Sequence, residues 1–199
     1  MKIMLLTAAT GGGHLRAAAA VEQYIRENTP YEVKTVDTLK AIGRFLDKTV
    51  CDSYLFMAKK TPTLFGRLYK QTNKENLFSG LVPKLSGLFS NLLLRTIGEY
   101  DPDVVITTHP FAAEMVSDLK EDGLVEAPLI CVITDYGVHR AYICDYVDAY
   151  VVASDDMVPE LIAFGVPKEK IYPFGIPVHG VFFHHVDQGE VLCQLSLGP

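Results

Sequence analysis

Several features that define common classes of protein are missing from this 199-residue chain. No CxxC pair occurs, and irregular spacing of the few cysteines favours reduced, buried thiols over disulfides or a zinc site. The cysteines are Cys51, Cys131, Cys144 and Cys193. No run approaches the roughly eighteen apolar residues that a membrane-spanning helix needs, and the apolar start has the length of a strand rather than of a signal peptide. We therefore expect a soluble or peripheral intracellular protein.

What is present is a hydrophobic pattern that alternates between strand and helix, in a chain that is 49% hydrophobic and 21% charged. This composition is typical of a globular domain with a substantial core. Strands are predicted over Lys2–Ala8, Glu32–Val36, Asp103–Thr107, Leu129–Thr134, Ala149–Ala153 and Ile171–Phe174. Helices are predicted near His14–Glu27, Phe111–Glu121 and Asp155–Phe164. The pattern predicts an α/β, Rossmann-like, mostly parallel sheet with helices on both faces and a helical insertion at about 39–99.

The first strand runs directly into a glycine loop, Gly11-Gly12-Gly13, followed by His14 and a helix-favouring segment. A strand, a glycine turn and a helix N-terminus place exposed backbone N–H groups and the positive end of a helix dipole at one spot. Glycine also lacks the Cβ that would keep a ligand away from the backbone. Because histidine accepts a proton near neutral pH, the loop predicts an anion cradle with a candidate base, His14.

Further polar residues stand where the next predicted strands end. His109 follows the third strand, and Asp135 and His139 follow the fourth. Ligands of open α/β sheets bind beyond the carboxyl ends of the strands, so these residues and His14 predict a shared site. Taken singly, Asp135 is also explained as a helix cap, and His109 as a loop residue held by Pro110.

Other kinds of site fit these residues less well. Asp37 ends the second strand where a dinucleotide fold places its ribose-binding acid, but Arg16 stands where that fold needs a glycine. No Gly-Lys-Ser/Thr follows the glycines, which excludes a P-loop. A site of three histidines for a metal is conceivable, although no HxxxH pair supports it. A nucleotide-binding, oxidoreductase-like domain stays open as an alternative.

Charge is distributed unevenly along the chain, whose formal net charge is −6. The segment from Lys40 to Gly98 has ten basic and three acidic residues, whereas the rest has eight basic and twenty-one acidic ones. Half of the phenylalanines also lie in this segment. Basic residues interleaved with aromatics indicate an anionic membrane surface or a nucleic acid. The alternative is a helical insertion with aromatics in its core and solvated lysines.

Three stretches occur in the order and spacing of one known family. They are the GGGHxxAA loop from Gly11, the stretch from Thr134 to Val152 with its TDxxxH and VDxYxV patterns, and the GVP and FGIPV segments that end at Val178. In these the chain resembles the diacylglycerol glycosyltransferases, which comprise monogalactosyldiacylglycerol synthases and bacterial processive diacylglycerol glucosyltransferases and are related to MurG-type enzymes. The resemblance starts at Lys2. At Tyr142 this chain differs from the family, which commonly has tryptophan at that position.

The resemblance implies a GT-B glycosyltransferase, with two Rossmann-like domains facing each other across a cleft. Residues 1–178 would form the N-terminal acceptor-binding domain and 179–199 the interdomain linker, with the C-terminal nucleotide-sugar domain absent. The implied reaction transfers a hexose from UDP-glucose or UDP-galactose to the hydroxyl of diacylglycerol, and this chain alone is expected to be inactive. The location implied is the inner face of the cell membrane, with no nucleic acid as partner. A non-catalytic lipid-binding fragment is the alternative.

The resemblance also suggests roles for particular residues. His14 is expected to act as the general base, and Asp135 to orient its imidazole and stabilise the charged form. The acceptor or the leaving diphosphate is expected to contact Gly11, Gly12, Gly13, His109, His139 and Tyr142. Contacts with the membrane are expected from Phe45, Phe56, Phe65, Lys59, Lys60 and Arg67. No metal or other cofactor is expected, because the N–H groups of the glycine loop would help to neutralise the diphosphate.

Overall fold

The fold is taken from a computed structural model, which describes residues 1–9, 12–41, 90, 93–183 and 188–194. These residues form one six-stranded sheet, and every adjacent pair of strands is parallel. The strands are β1 Lys2–Thr7, β2 Glu32–Asp37, β3 Val104–Thr107, β4 Leu129–Val132, β5 Ala149–Val151 and β6 Ile171–Tyr172. The prediction of an α/β fold with a parallel sheet is confirmed.

All but the last of the described helices lie between strands in sequence, as crossover connections require. They are α1 Gly12–Asn28, α2 Thr38–Ala41, α3 over residues 93–100, α4 Pro110–Glu121, α5 Val158–Ala163 and α6 Gln188–Gln194. Short 3₁₀ turns occupy Arg140–Tyr142, Asp155–Met157, Lys168–Lys170 and Gly180–Phe183. None of the described helices combines the length and the apolar character that crossing a bilayer would require.

The order of the strands, β2-β1-β3-β4-β5-β6, determines where the sheet offers a binding crevice. The chain winds from β1 outward to β2 and then returns past β1 to β3 and the remaining strands. The connections after β1 and β3 therefore diverge to opposite sides of the sheet, which leaves a crevice at their carboxyl ends. The residues that follow β1 and β3 are the ones that line such a crevice.

The side chains of β1 point alternately to the two faces of the sheet, which explains why both faces are covered. Ile3 and Leu5 pack in one apolar cluster with Ile25 of α1, whereas Met4 and Leu6 belong to the larger cluster on the other side. The larger cluster includes side chains of α3, α4 and α5. Because successive residues of a strand point to opposite faces, the apolar centre of one strand supplies both cores. Helices on both faces are thus confirmed.

Two predicted helix boundaries were wrong. Helix α1 begins at Gly12, two residues before the predicted start at His14, so Gly12 and Gly13 belong to the helix. The helix predicted over Asp155–Phe164 is divided into the 3₁₀ turn Asp155–Met157 and the six-residue helix α5. Helix α5 ends at Ala163, and Gly165, two residues further on, has a φ of 93°, a left-handed conformation that glycine adopts without a steric penalty.

Candidate functional site

The candidate site lies where β1, β3 and β4 end. His14 is the third residue of α1, Thr108 and His109 follow β3 directly, and Thr134 and Asp135 follow β4. Since these strands are parallel and adjacent, their carboxyl ends meet at one edge of the sheet. The structure thereby brings the predicted polar residues to a common edge.

The imidazole of His14 is held through one of its two nitrogens. Nδ1 lies 2.7 Å from the backbone carbonyl oxygen of Thr108 and 2.9 Å from the hydroxyl oxygen of Thr134. Its Nε2 makes no hydrogen bond to any residue in the described part of the chain. The ring is half-buried at the sheet edge, with one nitrogen fixed and the other available.

These contacts determine where the proton of the neutral ring lies. A carbonyl oxygen only accepts, so the short contact with Thr108 requires that His14 Nδ1 carries the proton and donates it. The lone pair of the neutral imidazole is then on Nε2. We therefore assign the Nδ1–H tautomer, in which Nε2 can accept a proton from a bound hydroxyl group.

Thr108 and His14 are joined in both directions. Besides accepting from the His14 ring, Thr108 donates its side-chain hydroxyl to the His14 carbonyl oxygen at 3.0 Å. The Thr7 hydroxyl at the end of β1 lies 3.0 Å from the same Thr108 oxygen, and both threonines are buried. Backbone and side chain of His14 are thus both fixed to β3, which limits the orientations of the ring.

His109 contacts His14 but has a different role. Its ring lies edge-on to the His14 ring, with centroids 4.7 Å apart. Its Nδ1 accepts a hydrogen bond of 3.2 Å from the Phe111 backbone N–H, which caps the N-terminus of α4. Burial, together with the adjacent His14 ring, lowers the pKa of His109 to about 3. His109 is therefore neutral near pH 7, as an accepting cap requires.

His139 is a second capping histidine. Its Nδ1 accepts from the Ala141 backbone N–H at 3.1 Å and caps the 3₁₀ turn Arg140–Tyr142. Only 7% of the residue is exposed. Its expected contact with an acceptor molecule stays a prediction, while the contacts of its ring show a structural role.

The structure corrects the partner that was expected for His14. Asp135 was expected to orient the imidazole, but the Thr108 carbonyl occupies Nδ1. Asp135 instead accepts a 3.1 Å hydrogen bond from the Tyr142 hydroxyl. A carboxylate on the exposed loop after β4 has access to water, whereas the carbonyl at the end of β3 is fixed by the sheet. Burial raises the pKa of the Tyr142 phenol well above its usual range, so this group remains a donor.

The N-terminus of α1 provides open space beside His14. Gly12 and Gly13 are its first two residues and are exposed, and a Cβ built at Gly13 would meet no atom within 4 Å. The first turn contains no acidic side chain, so the positive end of the helix dipole is not neutralised there. Gly11, also predicted at this site, lies outside the described residues.

Asp37 does not have the surroundings of a ribose-binding residue. Its side chain contacts the backbone N–H of Lys40 at 3.4 Å and the Lys40 ammonium at 3.3 Å, and only 12% of it is exposed. It ends β2 and directly precedes α2, so its carboxylate acts as a local cap. These contacts weaken the dinucleotide alternative. In the described ranges no group of three or more His, Cys, Asp and Glu side chains is arranged around a metal position.

Two residues of the site were not identified from the sequence. Thr108 acts through its backbone carbonyl, which every residue has, so no side-chain pattern could reveal it. Thr134 belongs to the TDxxxH stretch, but only the fold shows that its hydroxyl reaches His14. The predicted membrane contacts, Phe45, Phe56, Phe65, Lys59, Lys60 and Arg67, lie outside the described residues.

The fold and the site together define a class of protein: a Rossmann-like domain with a histidine at the N-terminus of its first helix. Comparison with known families identifies the family within this class. The family model described as monogalactosyldiacylglycerol (MGDG) synthase matches residues 14–178. The chain belongs to this family, and the resemblance seen in its motifs is confirmed.

Curated proteins give the same relationship. The chain is 31% identical over 199 residues to a processive diacylglycerol beta-glucosyltransferase of Bacillus cereus (strain B4264), covering 98% of this chain and 50% of that protein. A protein of the same name from Bacillus mycoides (strain KBAB4) is 30% identical over 184 residues, covering 91% of this chain and 46% of its own length. The chain thus spans about half the length of the curated relatives that it matches.

Among solved structures, the apo form of the lipopolysaccharide outer core galactosyltransferase WaaB is similar, with a TM-score of 0.48 and 15% sequence identity. The match covers 86% of this chain and 44% of that one.

Proposed function

We propose that this chain is the acceptor-binding half of a GT-B diacylglycerol glycosyltransferase, with His14 as its general base. The observation that carries the proposal is the Thr108 carbonyl bound to His14 Nδ1, which leaves Nε2 as the basic nitrogen. Membership of the MGDG synthase family and the names of the Bacillus relatives support the substrate class.

The hydroxyl of diacylglycerol is a primary or secondary alcohol and a poor nucleophile until a base takes its proton. In the proposed step, Nε2 of His14 accepts that proton while the oxygen attacks the anomeric carbon and the bond from this carbon to UDP breaks. The ring becomes an imidazolium whose Nδ1–H still donates to Thr108. Because this donor now carries positive charge, its hydrogen bond to the carbonyl becomes stronger, which stabilises the charged ring.

The N-terminus of α1 is proposed to bind the leaving UDP diphosphate. Its exposed N–H groups and unneutralised dipole favour an anion beside His14, and the open space at Gly13 permits close approach. UDP-glucose or UDP-galactose is the proposed donor. This scheme needs no metal, since backbone N–H groups act on the charge that develops.

The basic segment between Lys40 and Gly98 is proposed to dock on an anionic membrane surface at the inner face of the cell membrane. Diacylglycerol resides in the bilayer, so an enzyme that uses it must bind there. Each basic residue near an anionic surface contributes about 1 kcal/mol, which salt weakens. Co-sedimentation with anionic vesicles should fall sharply at high ionic strength. Equal binding to neutral vesicles would contradict electrostatic docking.

An exposed apolar surface near the end of the described residues is proposed to face the donor-binding domain. Phe174, Phe182 and Phe183 are each more than 75% exposed, and Val181 is 52% exposed. A concentrated set of exposed apolar side chains is typical of an interaction surface. They lie beside and within the segment that the family resemblance assigns to the interdomain linker.

The experiment that tests the function is glycolipid synthesis by a fusion enzyme. Residues 1–178 replace the matching half of the Bacillus cereus relative, and the fusion is incubated with radiolabelled UDP-glucose and diacylglycerol vesicles. Glycolipid formation that depends on His14 is the expected result. The 199-residue chain alone should form none, because alignment of donor and acceptor supplies much of the rate. A fusion that folds but forms no glycolipid would contradict the proposal.

A further inference from the structure

The loop that follows β4 has a tip, Tyr136 and Gly137, that the rest of the described chain leaves uncovered. Tyr136 is 87% exposed, and among the described residues its side chain has no hydrogen bond and no ring contact. One exposed aromatic ring is common on protein surfaces. The function of this ring therefore has to be argued from where it lies and from how its loop is held.

The loop is anchored on both sides of the tip. On one side, Asp135 accepts a hydrogen bond of 3.1 Å from the Tyr142 hydroxyl. On the other side, the backbone N–H of the buried Val138 donates to the Glu160 carboxylate of α5 at 3.2 Å. The backbone under Tyr136 is thus fixed to the scaffold. A tyrosine has only two side-chain torsions to order, so its ring can bind a ligand at a low cost in conformational entropy.

The tip also lies next to the proposed base. Tyr136 is two residues beyond Thr134, whose hydroxyl is 2.9 Å from His14 Nδ1. Two residues of extended chain span at most about 7 Å. The ring is therefore within the extent of a lipid acceptor whose hydroxyl is bound at Nε2 of His14.

Gly137 leaves open space beside the ring. A Cβ built at this position would meet no atom within 4 Å, and the φ of Gly137 lies outside the left-handed region that favours glycine. Neither crowding nor backbone conformation therefore explains a glycine here. A residue without a side chain does permit a ligand to approach the backbone and the adjacent ring closely.

We propose that Tyr136 is an acceptor-binding residue that packs against the glycerol and ester groups of diacylglycerol. The inference rests on the proposed function, in which His14 takes the proton of the acceptor hydroxyl. The chemistry of the two partners matches. The ester region of a lipid joins apolar chains to a polar end, and tyrosine combines an apolar ring with a polar hydroxyl.

The first test is the kinetics of the fusion enzyme described above, with diacylglycerol varied as its mole fraction in detergent micelles. Tyr136→Ala should raise the KM for diacylglycerol about tenfold with kcat within about twofold, because an apolar contact made throughout the reaction is lost. Tyr136→Phe keeps the ring and should change this KM less than about twofold. Tyr24→Ala is the matched control, since Tyr24 is 65% exposed on α1 and lies about 15 Å along the helix from His14.

Gly137→Ala adds one methyl group beside the ring and should raise the same KM about threefold without changing stability to urea. Normal KM values in both Tyr136→Ala and Gly137→Ala would remove the tip from the acceptor site. A higher KM for UDP-glucose in place of diacylglycerol would assign the ring to the donor. Loss of binding to anionic vesicles that lack diacylglycerol would make it a membrane anchor. Each of these results would overturn the inference.

A second measurement uses the 199-residue chain and needs no activity. The chain contains no tryptophan, so Tyr136→Trp introduces a single fluorescent indole at the tip. Its emission should shift to shorter wavelength with micelles that contain a short-chain diacylglycerol but not with the detergent alone, and Tyr24→Trp should respond to neither. Absence of the shift would overturn the contact even if the fusion transfers sugar. A shift in a chain whose fusion is inactive would retain the contact and reject the transferase.

Discussion

Three histidines follow neighbouring strands of the sheet along the chain, and their Nδ1 atoms have partners of opposite kinds. His14 meets the carbonyl of Thr108, whereas His109 and His139 meet backbone N–H groups at the starts of helical turns. A carbonyl requires a proton on Nδ1, while an N–H requires a lone pair there. His14 therefore has a basic Nε2, and the other two rings have a protonated one. Location at a strand end does not distinguish these roles, but the partner of Nδ1 does.

The largest expected difference between the histidines is in turnover. His14→Ala in the fusion enzyme should lower kcat by about two to four orders of magnitude, because it removes the group that takes the acceptor proton. His139→Asn, which keeps an acceptor for the Ala141 N–H, should leave kcat within a few-fold of the parent. Circular dichroism of both variants controls for folding. Near-normal turnover in His14→Ala would remove this residue from the role of base.

A smaller effect is expected from loosening the attachment of His14. Thr108→Val keeps the backbone carbonyl but removes the hydroxyl that donates to the His14 carbonyl oxygen, and should lower the free energy of unfolding by about 1–2 kcal/mol. Thr108→Ser retains the hydroxyl and should recover most of this loss. Urea titration of the chain measures both. Identical stabilities of the valine and serine variants would mean that the hydroxyl does not fix His14.

The capping histidines should affect stability through their side-chain acceptors. His139→Ala leaves the Ala141 N–H without its acceptor and should cost about 1 kcal/mol of unfolding free energy. His139→Asn should cost less, since asparagine is a preferred cap. The comparison fails if both substitutions are equally costly, since packing of the ring would then outweigh the cap.

A further effect is expected in the pH dependence of stability. The pKa of His109 is about 3 in the folded chain and about 6.5 when unfolded, so the unfolded chain binds more protons between these values. Stability from the neutral ring is complete above about pH 6.5 and is lost as the pH falls toward about 3. His109→Asn keeps a cap but cannot titrate, so its stability should fall less between about pH 7 and about pH 5. Equal losses in both proteins would contradict the lowered pKa.

The fold was largely predictable because its strands are short apolar runs separated by helical patterns. The strand-end positions of His14, His109 and Asp135 followed from that pattern alone. The start of α1 was wrong because Gly12 and Gly13 were taken for a turn, whereas both are helical and no positive φ is required of them.

The contacts that distinguish the histidines could not be predicted. The partner of His14 is a backbone carbonyl, and its identity depends on how β3 ends beside α1. In the same way, Tyr142 reaches Asp135 because the 3₁₀ turn Arg140–Tyr142 directs it back toward the sheet edge. Neither of these two contacts can be seen in the local sequence, since both depend on residues brought together by the parallel strands.

The most direct test of the account is the position of the protons on the three rings. Nitrogen-15 NMR of histidine-labelled chain in alkaline buffer distinguishes protonated from unprotonated ring nitrogens. We predict a proton on Nδ1 of His14, with Nε2 bare, and the reverse for His109 and His139. A proton on Nε2 of His14 would contradict the account, because that nitrogen could not then accept the proton of an acceptor hydroxyl.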